Sequence, residues 1–106
     1  MKSYFLQAVL LGAVVSVTAS ADATAGKALY ATKCLACHGA TGEAKESMAK
    51  MLKVTIPALG SKEVQAKSDA DLKKVVTAGQ GKMKPVTGLA DGQVADVLAF
   101  VRTLKK

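Results

Sequence analysis

The clearest hydrophobic pattern lies near the carboxyl end of the chain, where apolar residues recur on one side of a helix. Over residues 91–104 they occupy positions i, i+3, i+4, i+7 and i+10, as Val94, Val97, Leu98, Val101 and Leu104. This spacing is typical of an amphipathic α-helix with one buried face. We therefore predict a helix over 91–104, although Ala90 and Gly92 give it a weak start.

Helical patterns also dominate the chain before this segment. We predict helices over 24–35 and 43–53 and a turn over 61–67. Ser68, with an acidic residue three positions later, has the features of a helix start, and Gly79 has those of a helix end. Because no segment shows the sustained polar–apolar alternation of a strand, the sequence predicts an all-α fold of three to five short helices.

The first 21 residues have the features of an export signal. Lys2 precedes an uncharged apolar stretch over 4–17, and residues 19–21 are small. An apolar run of this length is typical of a signal peptide rather than of a full membrane span. We predict a signal peptide over 1–21 that is cleaved after Ala21, in preference to an uncleaved membrane anchor, and one domain over 22–106. The exported domain would work in the periplasm or in a compartment of the thylakoid-lumen type.

Composition limits what this domain can do alone. Cleavage would leave 85 residues, in which Tyr30 and Phe100 are the only aromatic ones. Such a chain buries only roughly 60–65% of its unfolded surface, so a cofactor is expected at its centre. The full chain carries a formal charge of +7, which favours acidic partners. Its lysines are scattered without interleaved aromatic residues, so nucleic acid is not an expected partner.

One pentapeptide indicates which cofactor this is. Cys34-Leu35-Ala36-Cys37-His38 contains the only two cysteines and the only histidine of the chain, at the spacing of a c-type haem attachment site. On a helix the three side chains share one face, so both thiols can reach the vinyl groups of one porphyrin edge and the imidazole can reach the iron. We predict one haem c, attached covalently to Cys34 and Cys37 and ligated by His38.

Three other interpretations of the pentapeptide fit less well. A structural zinc site needs four ligands, and only three candidate side chains are present. A thioredoxin-like redox pair needs a strand–helix–strand setting that the chain lacks. A disulfide between the two cysteines would leave His38 without a role.

The second axial ligand must be a residue other than histidine. A methionine thioether is the best candidate, and it would raise the reduction potential. Met83 lies in a loop with two glycines and Pro85 that can approach a porphyrin face. Met48 and Met51 lie three apart in a predicted helix and fit better as core residues. We predict Met83 as the ligand, with Met48 and Met51 as alternatives.

Most of residues 24–106 resembles a known family, the class I c-type cytochromes, which are the small soluble monohaem type of bacteria and algae. The likeness rests on the pentapeptide and on four further segments: Gly26-Lys27-Ala28-Leu29-Tyr30, Ile56-Pro57-Ala58-Leu59-Gly60, Gly81-Lys82-Met83-Lys84-Pro85 and Asp96-Val97-Leu98-Ala99-Phe100-Val101. One departure is Lys84, because members of the family often place the proline directly after the methionine.

The resemblance implies the cytochrome c fold, with short helices around one covalently bound haem. It also implies that Gly26 and Tyr30 of the first helix pack against Val97 and Phe100 of the last. Finally, it implies that the carbonyl oxygen of Pro57 accepts a hydrogen bond from the ligating imidazole, which fixes the ring.

Two protein ligands on one iron leave no open position for a substrate. We therefore predict a monomeric single-electron carrier between respiratory or photosynthetic redox proteins, not an enzyme, without stable membrane insertion after cleavage. Lys33, Lys82 and Lys84 would surround an exposed haem edge and bind acidic partners. The alternatives are a haem-based sensor or enzyme for gases or peroxide with a labile sixth ligand, and an electron-transfer subunit of a larger oxidase or dehydrogenase.

Overall fold

The computed structural model describes residues 21–106, so the predicted signal peptide lies outside the described residues except for Ala21. This part of the chain has six helices and no strands: α1 Ala23–Lys33, α2 Leu35–His38, α3 Glu46–Leu52, α4 Lys62–Gln65, α5 Asp69–Ala78 and α6 Asp91–Thr103. The predicted all-α class is confirmed. The count exceeds three to five because α2 and α4 are single turns of four residues. Within 21–106, no helix has the length and apolarity needed to cross a bilayer.

Helices α1 and α6 approach each other until their backbones touch, at what we call the α1–α6 contact. A methyl group added at Gly26 would lie 1.8 Å from the carbonyl oxygen of Asp96, so only glycine fits there. The rings of Tyr30 and Phe100 pack with their centroids 5.0 Å apart, and Val97 is 1% exposed. The predicted packing of Gly26 and Tyr30 against Val97 and Phe100 is confirmed.

A second group of contacts joins α4 and α5 to α6. Its buried apolar residues are Val64, Leu72, Val76, Val94 and Leu98. Near the end of α6, Arg102 donates hydrogen bonds to the carbonyl oxygens of Gln65 and Lys67, at 2.8 and 2.7 Å, and pairs with Asp69. The apolar stripe of α6 is therefore divided, with one part packed on α1 and the other on α4 and α5.

Two helix boundaries differ from the sequence prediction by two or three residues. Helix α1 ends at Lys33 because the backbone turns at Cys34, where ψ is −26° and φ is −119°, before α2 begins. Helix α3 begins at Glu46, three residues after the predicted start. The delay is explained at Lys45, which has an extended backbone with a ψ of 112° and whose N–H donates a hydrogen bond of 3.0 Å to the carbonyl oxygen of Cys37.

Helices α5 and α6 begin with two different kinds of capping hydrogen bond. The Ser68 hydroxyl accepts a hydrogen bond from the backbone N–H of Asp71 at 3.1 Å, and Gly79 ends α5 with a φ of 77°. Both features of α5 were predicted. Helix α6 has no capping hydroxyl; instead the side-chain oxygen of Gln93 accepts a hydrogen bond from the backbone N–H of Ala90 at 2.9 Å, which compensates for the weak start.

Candidate haem-binding site

The Cys-x-x-Cys-His motif forms one helical turn directly after α1. Cys34 ends α1 and begins α2, and its carbonyl oxygen accepts a hydrogen bond from the backbone N–H of His38 at 3.0 Å. Gly39 ends the turn with a φ of 69°, at a place where an added Cβ would lie 2.6 Å from the carbonyl oxygen of Glu43. This single turn presents Cys34, Cys37 and His38 to one cleft.

Tyr30 fixes this turn to the α1–α6 contact. Its buried hydroxyl donates a hydrogen bond of 2.5 Å to the carbonyl oxygen of Gly39. Burial, with a smaller effect from the neighbouring Cys34 thiol, raises the pKa of Tyr30 to about 12. The hydroxyl therefore stays protonated and able to donate at physiological pH, so the end of the motif is anchored to the helix packing.

The cleft lies between the motif, α3, α5, α6 and the loop that follows α5. It consists of two adjacent cavities of about 370 and 480 Å³, and five residues line both of them: Cys34, His38, Val54, Lys82 and Met83. The first cavity extends along the valine and leucine side chains of α5 and α6, and the second extends towards α3 and residues 84–87. Cavities of this size and apolar character are typical of cofactor sites.

His38 has the chemical state that a metal ligand requires. It is half-buried, and burial lowers the pKa of its imidazole, so the ring is neutral and can ligate a metal at physiological pH. Its Nδ1 atom is buried without a hydrogen-bond partner among the described residues. A metal-ligating histidine usually donates its second N–H to a carbonyl or carboxylate oxygen. Pro57 lines the first cavity with His38, and the hydrogen bond between them stays a prediction.

A tight turn holds the backbone of Met83 beside the cleft. Met83 and Gln80 exchange two backbone hydrogen bonds of 2.9 Å, and Gly81 between them has a φ of 57°, as at the first central position of a type II′ turn. At Gly79, an added Cβ would lie 2.6 Å from the carbonyl oxygen of Met83. The two glycines of the predicted loop, Gly79 and Gly81, therefore build a defined turn.

The three methionines of the described chain differ in their relation to the cleft. Met83 is half-buried and lines both cavities, whereas Met48 is half-buried and lines only the second. Met51 is 65% exposed and lines neither. The structure thus brings the preferred ligand candidate together with His38 and leaves one alternative, Met51, in solvent.

Three exposed lysines lie at the second cavity. Lys33 and Lys84 line this cavity, and Lys82 lines both. They approach it from two parts of the chain, the end of α1 and the turn that carries Met83. The three lysines predicted to surround a haem edge are therefore together at one opening of the cleft.

Two of the other interpretations find no support in the described residues. The thiols of Cys34 and Cys37 are free, so no disulfide joins them. Within 21–106, no group of three or more histidine, cysteine or acidic residues could hold a metal ion. Two free thiols and a neutral imidazole at an apolar cleft fit the covalent attachment of haem c, and the thioether of Met83 lies at the same cleft.

Sequence reasoning did not assign several further residues of the first cavity to the site, among them Val54, Thr55, Lys67 and Gln80. Gln80 could have been found, because a glycine at the next position is typical of a two-residue turn. Val54, Thr55 and Lys67 give no local signal, since tertiary packing alone brings them to the cleft.

Comparisons with known proteins agree with this site. Residues 21–101 match the sequence profile of a family described as cytochrome c oxidase, cbb3-type, subunit III. A solved structure of the c-type cytochrome KustC0563 is similar, with a TM-score of 0.64 and 26% sequence identity over 76% of this chain and 98% of that chain. No curated protein sequence matches significantly. The residues matched by the family include the motif, the Met83 turn and most of α6.

Proposed function

This chain belongs to the family of cytochrome c oxidase, cbb3-type, subunit III, and we propose that it carries single electrons with His38 and Met83 as the axial ligands of its haem iron. The family binds haem c covalently and serves electron transfer. The observation that supports this ligand pair is that His38 and Met83 line the same two cavities. Both backbone positions are fixed by hydrogen bonds.

Each residue of the site has a separate task in this proposal. Cys34 and Cys37 would hold the haem through two thioether bonds, and His38 would bind its iron as a neutral imidazole. The carbonyl oxygen of Pro57 accepts the remaining N–H of the imidazole and fixes the ring. Met83 would supply a thioether to the iron, and a thioether ligand favours the ferrous state. The haem supplies an iron that gains and loses one electron.

The turn around Met83 supports a carrier rather than a sensor or an enzyme. A carrier keeps its coordination in both redox states, and a ligand on a hydrogen-bonded turn is restrained from leaving. The turn is also tied to α5, because the backbone N–H of Val86 donates a hydrogen bond of 2.8 Å to the carbonyl oxygen of Val76. With His38 and Met83 both bound, the iron would have no position open to a substrate.

Exposure of the ferrous protein to carbon monoxide tests this closed coordination. We expect the visible spectrum of the wild-type protein to change little at neutral pH, because Met83 occupies the sixth position. Met83→Ala should bind carbon monoxide readily, whereas Met51→Ala, altered at an exposed site, should behave as the wild type. Ready binding by the wild-type protein would instead favour the sensor or enzyme.

The lysines at the second cavity support docking of an acidic redox partner at the haem edge. Electron transfer to such a partner should become much slower as ionic strength rises, because screening weakens the attraction between the two surfaces. Lys84→Gln should lower the rate at low salt more than Lys62→Gln, which removes the same charge from α4. A rate independent of salt would contradict this docking surface.

The family name supports a second candidate, an electron-transfer subunit of a larger oxidase. This candidate uses the same haem ligands and differs only in its partner. Gel filtration of detergent-solubilised membranes from the native host, with staining for covalent haem and assay of oxidase activity, distinguishes the two. Comigration of this chain with oxidase activity would support the subunit, and elution at the size of the monomer would support the free carrier.

A further inference from the structure

The residue after the predicted cleavage point contacts α6 through its backbone nitrogen. The N–H of Asp22 donates a hydrogen bond of 2.8 Å to Oδ1 of Asp96, 74 residues later. Asp96 is half-buried, at the point of α6 whose backbone touches Gly26. Among residues 21–106, no lysine, arginine or histidine forms an ion pair with this carboxylate; the ion pairs that do form involve other residues.

We propose that, once the predicted cleavage after Ala21 has freed the α-amino group of Asp22, the resulting ammonium group pairs with the carboxylate of Asp96. The peptide bond and one water molecule yield a carboxylate on Ala21 and an ammonium group on Asp22, and no other reactant is needed. The inference rests on the proposed export signal over 1–21 and is independent of the axial ligands of the haem.

The carboxylate of Asp96 binds an ammonium group on Asp22 more strongly than it binds the peptide N–H that is present before cleavage. An amide N–H is a neutral donor, whereas a hydrogen bond between an ammonium group and a carboxylate is charge-assisted and roughly twice as strong. The positive end of the α1 dipole opposes a cation at this place. Two carboxylates offset this effect: that of Asp96, and that of Asp22 itself, which accepts hydrogen bonds from the N–H groups of Thr24 and Ala25.

The ion pair would add a charged link to the α1–α6 contact. Gly26 already fixes the separation of the two helices one turn into α1, so the ammonium group is formed at a place that the packing determines. Asp22 is exposed, and exposed ion pairs contribute modestly to stability. Processing would therefore increase the stability of the folded domain by a small but measurable factor.

The predicted cleavage after Ala21 is tested by the intact mass of the protein after export of the full chain in a host that attaches haem c. We expect a chain that begins at Asp22 and carries one haem. A chain that keeps residues 1–21, or begins at another residue, would overturn this cleavage and the proposal that rests on it.

The ion pair is tested by Asp96→Asn in two holoproteins, one that begins at Asp22 and one in which an exchanged leader leaves three extra residues before Asp22. Asparagine removes the charge and keeps one acceptor oxygen in a side chain of nearly the same shape. In the chain that begins at Asp22, we expect the variant to raise the unfolding equilibrium constant by roughly twofold to fivefold more than in the extended chain. This excess should disappear at 1 M salt.

Glu63→Gln is the matched control, because it removes one exposed carboxylate from α4 and should have the same effect in both holoproteins. Equal effects of Asp96→Asn in both would overturn the ion pair, while the measured mass would still support processing. The haem spectrum should be the same in all these proteins, so either failure is distinguishable from a failure of the proposed electron transfer.

Discussion

The α1–α6 contact and the cleft beside it share helix α6, but only the contact is closed by protein atoms. At the contact, Gly26 leaves no room for a methyl group against Asp96, and Tyr30 and Val97 are 2% and 1% exposed. In the cleft, His38 and Met83 line cavities of about 370 and 480 Å³. One region is complete in the polypeptide, and the other is shaped for a group that the polypeptide does not supply.

The contact and the cleft therefore have different roles: the contact positions the haem motif, and the cleft binds the cofactor. The contact places the end of α1, and with it the haem motif, through packing and the hydrogen bond from Tyr30 to Gly39. The cleft then takes up an apolar cofactor that fills the space between the motif and the Met83 turn. Damage to the contact should therefore lower stability and preserve haem chemistry, whereas damage to the motif should remove the centre of the fold.

The largest expected effect, a loss of both haem attachment and stable folding, follows from removal of both thiols. Cys34→Ala combined with Cys37→Ala should abolish covalent haem and prevent stable folding, because the cavities would lose the group that fills them. Denaturing electrophoresis with haem staining and circular dichroism measure the two effects. Ala36→Ser, an exposed change between the cysteines, is the control and should keep both signals. A helical, cooperatively folded double variant without haem would show that the cleft needs no cofactor.

A smaller effect is expected from a methyl group at the contact. Gly26→Ala should lower the free energy of unfolding by about 1–3 kcal/mol, because the added Cβ must displace the backbone at Asp96. Gly92→Ala makes the same change where nothing lies within 4 Å of the new atom. It should be neutral or stabilise α6 by up to about 1 kcal/mol. Chemical denaturation measures both, and equal effects would contradict the close approach of α1 and α6.

The smallest loss of stability is expected when the hydrogen bond from Tyr30 to Gly39, which links the α1–α6 contact to the haem motif, is removed. Tyr30→Phe should lower the free energy of unfolding by about 1 kcal/mol at neutral pH, the net value of a typical hydrogen bond, because the carbonyl oxygen of Gly39 loses its donor. Since the folded-state pKa of Tyr30 is raised to about 12, neutral Tyr30 stabilises the fold fully below pH 10 and progressively less from pH 10 to 12. The stability gap between wild type and variant should narrow over that range, as followed by denaturation at each pH. A constant gap would contradict the buried hydroxyl.

Local sequence patterns predict the helices of the contact and the haem motif better than they predict the cleft, and the packing of α1 on α6 followed only from the family resemblance. Three local features predict α1, α6 and the motif. They are the helical period of the apolar residues, a small residue four positions before Tyr30, and the Cys-x-x-Cys-His spacing. The shape of the turn at Met83 depends on the positive φ of Gly81, which a single sequence suggests only weakly. The hydrogen bonds from Arg102 to Gln65 and Lys67 span 37 and 35 residues, a distance at which sequence pattern carries no information.

The central claim, that His38 and Met83 close the coordination sphere of the haem, is tested most directly by optical spectra of the exported oxidised protein and two methionine variants. The sulfur-to-iron charge-transfer band should be present in the wild type and in Met48→Ala and absent from Met83→Ala, with covalent haem retained in all three. Persistence of the band in Met83→Ala, or its loss in Met48→Ala alone, would contradict the account.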